Sequence, residues 1–208
     1  MSSRFAVFIY DGVEPVDLAT FGVLSMARRV APQIEIFTVA PAAGPVTLSN
    51  GLVVIAQHGI DACPPADAII VTGGPGWQRE AASAPTLEFL RRYAPGRVVA
   101  SVCTGGMILA AAGLLDGHRA TTKREVTGAE EPPVDVMRAR HPAVKVEVAR
   151  LVDDGAVVTG GGVTLCIDTT LHLLARMLGE PVAAETARIM EYTAAREANQ
   201  RRFAAAGA

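Results

Sequence analysis

The sequence predicts an α/β fold, with a mostly parallel sheet and helices on both of its faces. Short apolar runs alternate along the chain with segments of helical periodicity, an order typical of parallel strands joined by crossover helices. The 208 residues are 50% hydrophobic and 19% charged, a composition that fits a single domain over residues 1–208 with a sizeable core.

The predicted strands are β-branched or aromatic runs, and the predicted helices repeat apolar residues every three or four positions. Pro15 suits the first position of the first helix. In chain order these elements are strand Phe5–Tyr10, helix Val16–Val30, strand Ile34–Val39, strand Ala68–Thr72, helix Thr86–Tyr93 and strand Val98–Val102.

The second half of the chain continues the pattern. An Ala- and Leu-rich stretch, Met107–Leu115, predicts a helix that ends near Gly117. Two amphipathic helices are expected, at about Thr164–Leu178 and at about Val182–Tyr192. Thr164 is the expected N-cap of the first. The end of the tail Ala194–Ala208 is expected to fray.

Two β-hairpins interrupt the alternation. The first runs over Val46–Ile55 with an Asn50-Gly51 turn, and the second joins Val144–Val152 to Ala156–Thr159 through Asp153-Asp154-Gly155. The acidic and proline-rich segment Glu130-Glu131-Pro132-Pro133 predicts a loop.

Composition excludes several classes of function. The net charge of −2 and the absence of a long basic block give no case for nucleic acid or an anionic membrane as partner. No apolar run reaches the length of a membrane span, and Asp11 ends the first apolar run too early for a signal peptide. We therefore expect a cytoplasmic protein that acts on a small molecule.

The chain has three cysteines, Cys63, Cys103 and Cys166, without CxxC or Cys/His ligand spacing. The sequence thus predicts neither a disulfide framework nor a metal site. Cys103 stands out because it follows a predicted strand and precedes the helix that opens at Gly105-Gly106. A thiol there would face the first N–H groups of the helix, which favours the thiolate and predicts a nucleophile. The alternative is a buried structural cysteine.

Two further features follow predicted strands, and the carboxyl ends of parallel strands meet in one crevice. Asp17 is a candidate acid/base for Cys103, although an acidic residue in a first helical turn also compensates the helix dipole. The Gly73-Gly74-Pro75-Gly76 turn suits an oxyanion site, or a plain tight turn. With Thr104 and Gly105, Gly73 and Gly74 are the expected substrate-binding positions.

A Cys/His enzyme is the main chemical alternative for a reactive cysteine. The four histidines, at positions 58, 118, 141 and 172, lie in segments that do not obviously reach Cys103. The Gly160-Gly161-Gly162 run lacks the lysine and the spacing of a phosphate loop. Close packing of the following helix against the crevice is the favoured interpretation of these glycines.

Four segments together resemble the ThiJ/PfpI superfamily, also called class I glutamine-amidotransferase-like. They are VEPVDLATFGVL at 13–24, VTGGPG at 71–76, SVCTGGMILAAAGLLDGHRATT at 101–122 and VTGGGVTLCID at 158–168. The resemblance covers about residues 4 to 193. It is greatest to the isonitrile (isocyanide) hydratase branch and to the amidotransferase-like domains of AraC-type transcriptional regulators.

This resemblance implies a flavodoxin-like three-layer sandwich, a homodimer and a strained turn at the nucleophile. In the hydratase branch a cysteine attacks the isonitrile carbon, an aspartate handles the proton, and water releases an N-substituted formamide. Those roles would fall on Cys103 and Asp17, with Thr104 as the matching threonine and no cofactor. Other members use a glutamate partner and a histidine after the cysteine, and this chain has neither in the matching place.

The chain departs from the branch at Lys123-Arg124, where the hydratases and regulators commonly have His-Trp. Two cations are thus expected near the pocket. The competing hypothesis is a ligand-sensing module, because the same kind of domain has that role in AraC-type regulators. Those regulators carry a helix-turn-helix region of roughly a hundred residues after the domain. This chain ends at Ala208, so we expect no DNA binding from it.

Overall fold

The computed structural model describes residues 3–204, and in it strands alternate with helices in the order that the sequence predicts. The strands are β1 (Ser3–Phe8), β2 (Ile34–Ala40), β3 (Gly44–Thr47), β4 (Val53–Ala56), β5 (His58–Gly59), β6 (Ala68–Val71), β7 (Val98–Ser101), β8 (Arg119–Ala120), β9 (Lys145–Val146), β10 (Leu151–Asp154) and β11 (Val157–Gly160). The helices are α1 (Ala19–Ala27), α2 (Trp77–Ala81), α3 (Ala84–Tyr93), α4 (Gly105–Ala111), α5 (Pro133–Arg140), α6 (Leu165–Leu178), α7 (Glu180–Ile189) and α8 (Thr193–Ala204).

Seven strands form the central sheet in the order β10-β11-β7-β6-β1-β2-β5. All neighbours are parallel except β10 and β11, which form an antiparallel hairpin. The middle strands are buried on both faces, since Phe5 to Phe8 of β1 are fully buried and β6 is buried throughout. Burial on both faces explains why these strands are continuous apolar runs rather than alternating ones.

Helices cover both faces of the sheet, which confirms the predicted three-layer α/β architecture. One group consists of α1, α6 and α7, which pack against each other, and the other of α2, α3 and α4. No helix within residues 3–204 is both long and apolar enough to cross a membrane.

The strand order brings together the segments that the sequence analysis selected. Strands β7, β6 and β1 are neighbours, so the residues after their carboxyl ends lie at one edge of the sheet. Those segments contain Cys103, Gly73 and Asp17. The expected convergence of the strand ends is confirmed.

Several predicted elements have different limits in the structure. The first helix is divided into a 3-10 turn at Pro15–Leu18 and α1, and the helix expected at Met107–Leu115 is α4, which begins two residues earlier at Gly105. Thr164 does stand at the N-cap of α6, but its side chain forms no capping hydrogen bond because its backbone is already helical. Helices α2, α5 and α8 are not predicted by the sequence pattern, and residues 205–208 of the predicted frayed tail lie outside the described residues.

Both predicted hairpins exist, with altered connections. Asn50 and Gly51 have the positive φ angles of a tight turn, but they belong to a five-residue loop between β3 and β4. In the second hairpin Gly155 and Ala156 form the turn. Of the predicted strand Val144–Val152, only Leu151 and Val152 pair there, and the strand continues through Asp153 and Asp154, which were predicted as part of the turn. Lys145–Val146 instead pairs in parallel with β8.

Gly105 allows α4 to begin directly against β6. A Cβ at this position would lie 2.1 Å from the backbone oxygen of Val71, which already accepts the N–H of Val102 at 3.0 Å. Backbone on both sides leaves no flexible atom that can move away. The glycine is therefore required where the helix and the neighbouring strand meet.

We predict that Gly105→Ala lowers the free energy of unfolding by about 2 to 3 kcal/mol, because the added methyl group overpacks this junction. Gly22→Ala is the matched control, since Gly22 is an exposed residue of α1 with no atom within 4 Å of an added Cβ. Loss of glycine flexibility there should stabilise the protein by up to about 1 kcal/mol. Urea unfolding measures both, and equal stabilities of the two variants would contradict the packing argument.

Candidate active site

Cys103 occupies a strained turn between β7 and α4. Its φ angle is +52°, in the left-handed region that costs a non-glycine residue of order 1–3 kcal/mol. Two hydrogen bonds hold the turn. The Cys103 N–H donates to the Gly161 carbonyl at 3.1 Å, and its carbonyl accepts the Thr122 hydroxyl at 2.8 Å. The strained turn implied by the family resemblance is therefore present.

Asp17 lies beside this turn, fully buried in the 3-10 segment that follows β1. Its Oδ2 accepts the Gly73 N–H at 2.7 Å, and no described residue forms a hydrogen bond with Oδ1. Burial raises the pKa of Asp17 to about 8, and the neighbouring Glu14 charge acts in the same direction. The Gly73 N–H, the Cys103 thiol and Lys123 oppose this increase in pKa.

The thiol is the favoured form of Cys103 in the resting site. Its side chain is 2% exposed, and burial raises the pKa of the thiol well above its ordinary value. The charge of Asp17 raises this pKa further, while the Thr104 N–H and Lys123 lower it. The expectation that the start of α4 makes Cys103 a thiolate is therefore wrong for the resting site. Burial outweighs the helix terminus.

The glycines expected to bind an oxyanion have other partners. The Gly73 N–H donates to Asp17, and the Gly74 N–H donates to the Thr104 hydroxyl at 2.9 Å. The Gly105 N–H donates to the Val102 carbonyl at 2.9 Å. None of these three N–H groups is a free donor in this structure, so an oxyanion site at these glycines stays a prediction; of the three, Gly74 lines the cavity described below. Their hydrogen bonds fix the loops around the thiol.

The glycines of Gly160-Gly161-Gly162 allow close packing, as the sequence analysis favoured. A Cβ at Gly160 would lie 2.0 Å from Oγ1 of Thr169 in α6, and one at Gly162 would lie 2.8 Å from the sulfur of Cys103. The segment thus brings α6 close to the sheet and a bare backbone close to the thiol.

A cavity of about 630 Å³ opens onto Cys103 and Thr104. Trp77, Val136 and Val163 are among its apolar lining residues. Its charged lining residues are Glu14, Lys123, Glu130, Glu131 and Arg140. Asp17 is not part of the lining. A ligand in the cavity would therefore meet the sulfur first and the carboxyl only behind it.

Several lining residues were not identified from the sequence. Trp77 begins the missed helix α2, and Arg140 ends the missed helix α5. Glu130 and Glu131 were interpreted only as a loop. The four share no motif and reach the cavity through the tertiary fold, so no local signal identifies them.

Of the two cations expected near the pocket, only Lys123 lines it. The Arg124 guanidinium lies 4.9 Å from the centre of the Phe203 ring and pairs with Glu125 at 3.1 Å. The expectation of two pocket cations is thus half correct.

None of the histidines lines the cavity that the described residues form. His118 pairs with Asp154 at 2.9 Å, and His172 pairs with Asp153 at 2.7 Å. His58 packs edge-on against Phe37. These contacts give no support to a Cys/His site.

Comparison with known proteins gives concordant matches. The sequence profile of the DJ-1/PfpI family matches residues 3–176. Isonitrile hydratase from Pseudomonas putida is 34% identical over 197 residues, covering 94% of this chain and 81% of that protein. The HTH-type transcriptional regulator GbdR from Pseudomonas aeruginosa is 33% identical over 71% of this chain, which corresponds to 38% of the regulator.

Solved structures agree on the fold. A ThiJ/PfpI family protein from Pseudomonas syringae superposes with a TM-score of 0.81 at 28% identity, covering 93% of this chain and 76% of that one. Drosophila melanogaster DJ-1beta superposes with a TM-score of 0.77 at 19% identity, covering 91% and 98% of the two chains.

The raised pKa of Asp17 predicts a pH-dependent effect of Asp17→Asn on stability. Between about pH 4 and pH 8 the folded carboxyl keeps a proton that the unfolded chain has lost, so wild-type stability falls as pH rises through this range. Asparagine does not titrate. Since one pKa unit corresponds to about 1.4 kcal/mol, we expect the variant to gain at least about 2 kcal/mol over wild type between pH 5 and pH 9.

Urea unfolding at the two pH values measures this gain. Asp61→Asn is the control, because Asp61 is exposed. A stability difference between Asp17→Asn and wild type that stays constant with pH would show that Asp17 ionises normally in the folded protein.

Proposed function

The chain belongs to the DJ-1/PfpI family, and within it we propose that the protein is an isonitrile hydratase-like enzyme that needs no cofactor. The observation that carries this proposal is the coupling of a cavity-lining thiol to a buried carboxyl group with a pKa of about 8. A group with such a pKa can accept and return a proton near neutral pH. The 34% identity to an isonitrile hydratase over nearly the whole chain adds support.

In the proposed first step, the Asp17 carboxylate takes the proton of the Cys103 thiol, and the sulfur adds to the terminal carbon of the isonitrile. That carbon is soft and electrophilic, which suits a thiolate. Asp17 returns the proton to the same carbon, giving a thioimidate bonded to Cys103. The Thr104 N–H, which faces the sulfur, helps to hold the adduct in place.

In the second step, water adds across the carbon–nitrogen double bond of the thioimidate, with its hydroxyl on carbon and its proton on nitrogen. The tetrahedral adduct then expels the sulfur of Cys103 and becomes an N-substituted formamide. The hydroxyl proton returns through Asp17 to the thiolate. Overall, one isonitrile and one water give one formamide, and the enzyme is restored.

A ligand-sensing role is the second candidate function. Similarity to the regulator GbdR over 148 residues favours it, because the same kind of domain stands there beside further sequence. In that role the cavity would bind a small molecule without consuming it. The two functions differ in turnover.

We predict that excess cyclohexyl isonitrile yields many equivalents of N-cyclohexylformamide per chain, measured by chromatography. Cys103→Ala should abolish the product, and Asp17→Asn should reduce the rate about a hundredfold or more, since it removes the acid/base group. Cys63→Ala is the control, because Cys63 does not line the cavity and should keep the wild-type rate.

Binding without turnover would favour the sensor. In that case the isonitrile raises the melting temperature by mass action, and product never exceeds one equivalent per chain. Absence of turnover with both aliphatic and aromatic isonitriles would contradict the hydratase proposal.

We also propose a homodimer that uses the β3–β4 hairpin. Leu52, Val53 and Ile55 are 51%, 53% and 63% exposed on it, which is unusual for adjacent large apolar side chains. A two-fold contact between identical patches would cover both hairpins.

Light scattering should therefore give about twice the chain mass of 21.7 kDa at micromolar concentration. Ile55→Glu should shift the mass towards the monomer, because it places charges at the centre of the contact. Val148→Glu changes an exposed valine outside the hairpin and should leave the mass unchanged. A wild-type monomer would refute the dimer.

A further inference from the structure

The reactive form of the site contains a buried negative charge. Cys103 is 2% exposed and Asp17 is fully buried. Once this pair loses its first proton it carries one negative charge, whether sulfur or carboxylate holds it. Burying a charge without a partner costs several kcal/mol, so a site that uses this form at neutral pH requires a compensating cation.

The aliphatic stem of Lys123 lies next to the Cys103 thiol. A Cβ added at Gly162 would lie 2.8 Å from the Cys103 sulfur and 3.0 Å and 3.1 Å from Cγ and Cβ of Lys123. The sulfur and the lysine stem therefore flank the same bare backbone. Lys123 is half-buried, and it lines the cavity together with Cys103.

The charge of Lys123 is available to the pair. No carboxylate within residues 3–204 forms an ion pair with Lys123, whereas neighbouring Arg124 is paired with Glu125. Of the other charged lining residues, Glu14 is half-buried and opposes ionisation of the pair, while Glu130, Glu131 and Arg140 are exposed, where solvent screens them. Two buried groups also face the pair, and burial together with the Asp17 charge raises the pKa of Tyr10 and raises that of Cys166 to about 12, so both stay neutral at neutral pH. Lys123 is thus the half-buried cation of the cavity.

We propose that Lys123 is the counter-ion of the deprotonated Cys103–Asp17 pair and thereby sets the pH at which the thiol becomes reactive. Lys123 acts through Cys103 and Asp17, so it is a positioning residue and not a catalytic one. Its electrostatic effect agrees with this role, since it lowers the pKa of both partners. The inference depends on the proposed function only for its effect on turnover.

Alkylation of Cys103 tests the proposal without any substrate. The rate of iodoacetamide labelling is followed by peptide mapping from pH 6 to pH 10 in wild type, Lys123→Met, Lys123→Arg and Arg124→Met. In wild type the rate should rise with pH as the pair loses its first proton, and the midpoint of this rise is the reference for the variants. Lys123→Met should move the midpoint upward by about one pH unit, which is about a tenfold lower rate below the midpoint.

Lys123→Arg should restore the wild-type profile, because it keeps the charge. Arg124→Met removes a cation from the same segment but outside the cavity, so its midpoint should stay within about 0.3 units of wild type. Melting curves identify any variant that fails to fold, and Lys123→Gln replaces Lys123→Met in that case. A Lys123→Met or Lys123→Gln profile that overlays wild type would overturn the proposal.

Turnover separates this proposal from the proposed function. If isonitriles are hydrated, the pH profile of kcat/KM should move upward in Lys123→Met as the alkylation profile does. If hydration occurs and neither profile moves, the counter-ion is refuted while the hydratase stands. If no isonitrile is hydrated but the alkylation midpoint moves, the hydratase is refuted while the counter-ion stands.

Discussion

A short chain of hydrogen bonds between backbone and buried side chains organises the site. The Asp17 carboxyl accepts the Gly73 N–H, and the Gly74 N–H donates to the Thr104 hydroxyl. These two contacts join the segments that follow β1, β6 and β7. Because the segments are crowded together, a side chain on Gly73 would collide with Thr104, and one on Gly74 would collide with Glu14. The position of the Cys103 thiol therefore depends on the absence of side chains at Gly73 and Gly74, and on the buried carboxyl group of Asp17.

That arrangement has an electrostatic consequence which decides the chemistry. The start of a helix stabilises a nearby anion by about 0.3 to 1 kcal/mol, and by about 2 kcal/mol at most. Removing an ion from water costs several kcal/mol even after relaxation of the protein. Burial therefore wins, and the pKa values of both Cys103 and Asp17 rise. In the proposed mechanism, Asp17 therefore takes the proton of the Cys103 thiol. The negative charge that the pair then carries needs a cation from outside the pair.

The sequence predicts what depends on local pattern or on strand order, and little else. Cys103 and Asp17 could be selected because each follows a buried strand, and parallel neighbours bring such positions together. The roles of Gly73, Gly74 and Gly105 could not be assigned in the same way. A glycine turn shows that backbone can approach closely, but only the fold shows whether another group already accepts its N–H. The cavity wall has the same limit, because the α2 and α5 residues that line it reach the site only through packing.

Catalysis and sensing differ in what they require of the proton that Cys103 and Asp17 share. A cavity, a thiol and a carboxyl group suffice to bind a small electrophile, and they are compatible with either role. Turnover additionally requires that the deprotonated pair be populated at the working pH, because the fully protonated pair provides no thiolate for attack. A charged residue that lines the cavity without touching the reacting carbon can change that population, because an opposite charge nearby favours the deprotonated pair. In the proposed counter-ion role, Lys123 is such a residue, because it lines the cavity, whereas Arg124 packs on Phe203 and pairs with Glu125 outside it.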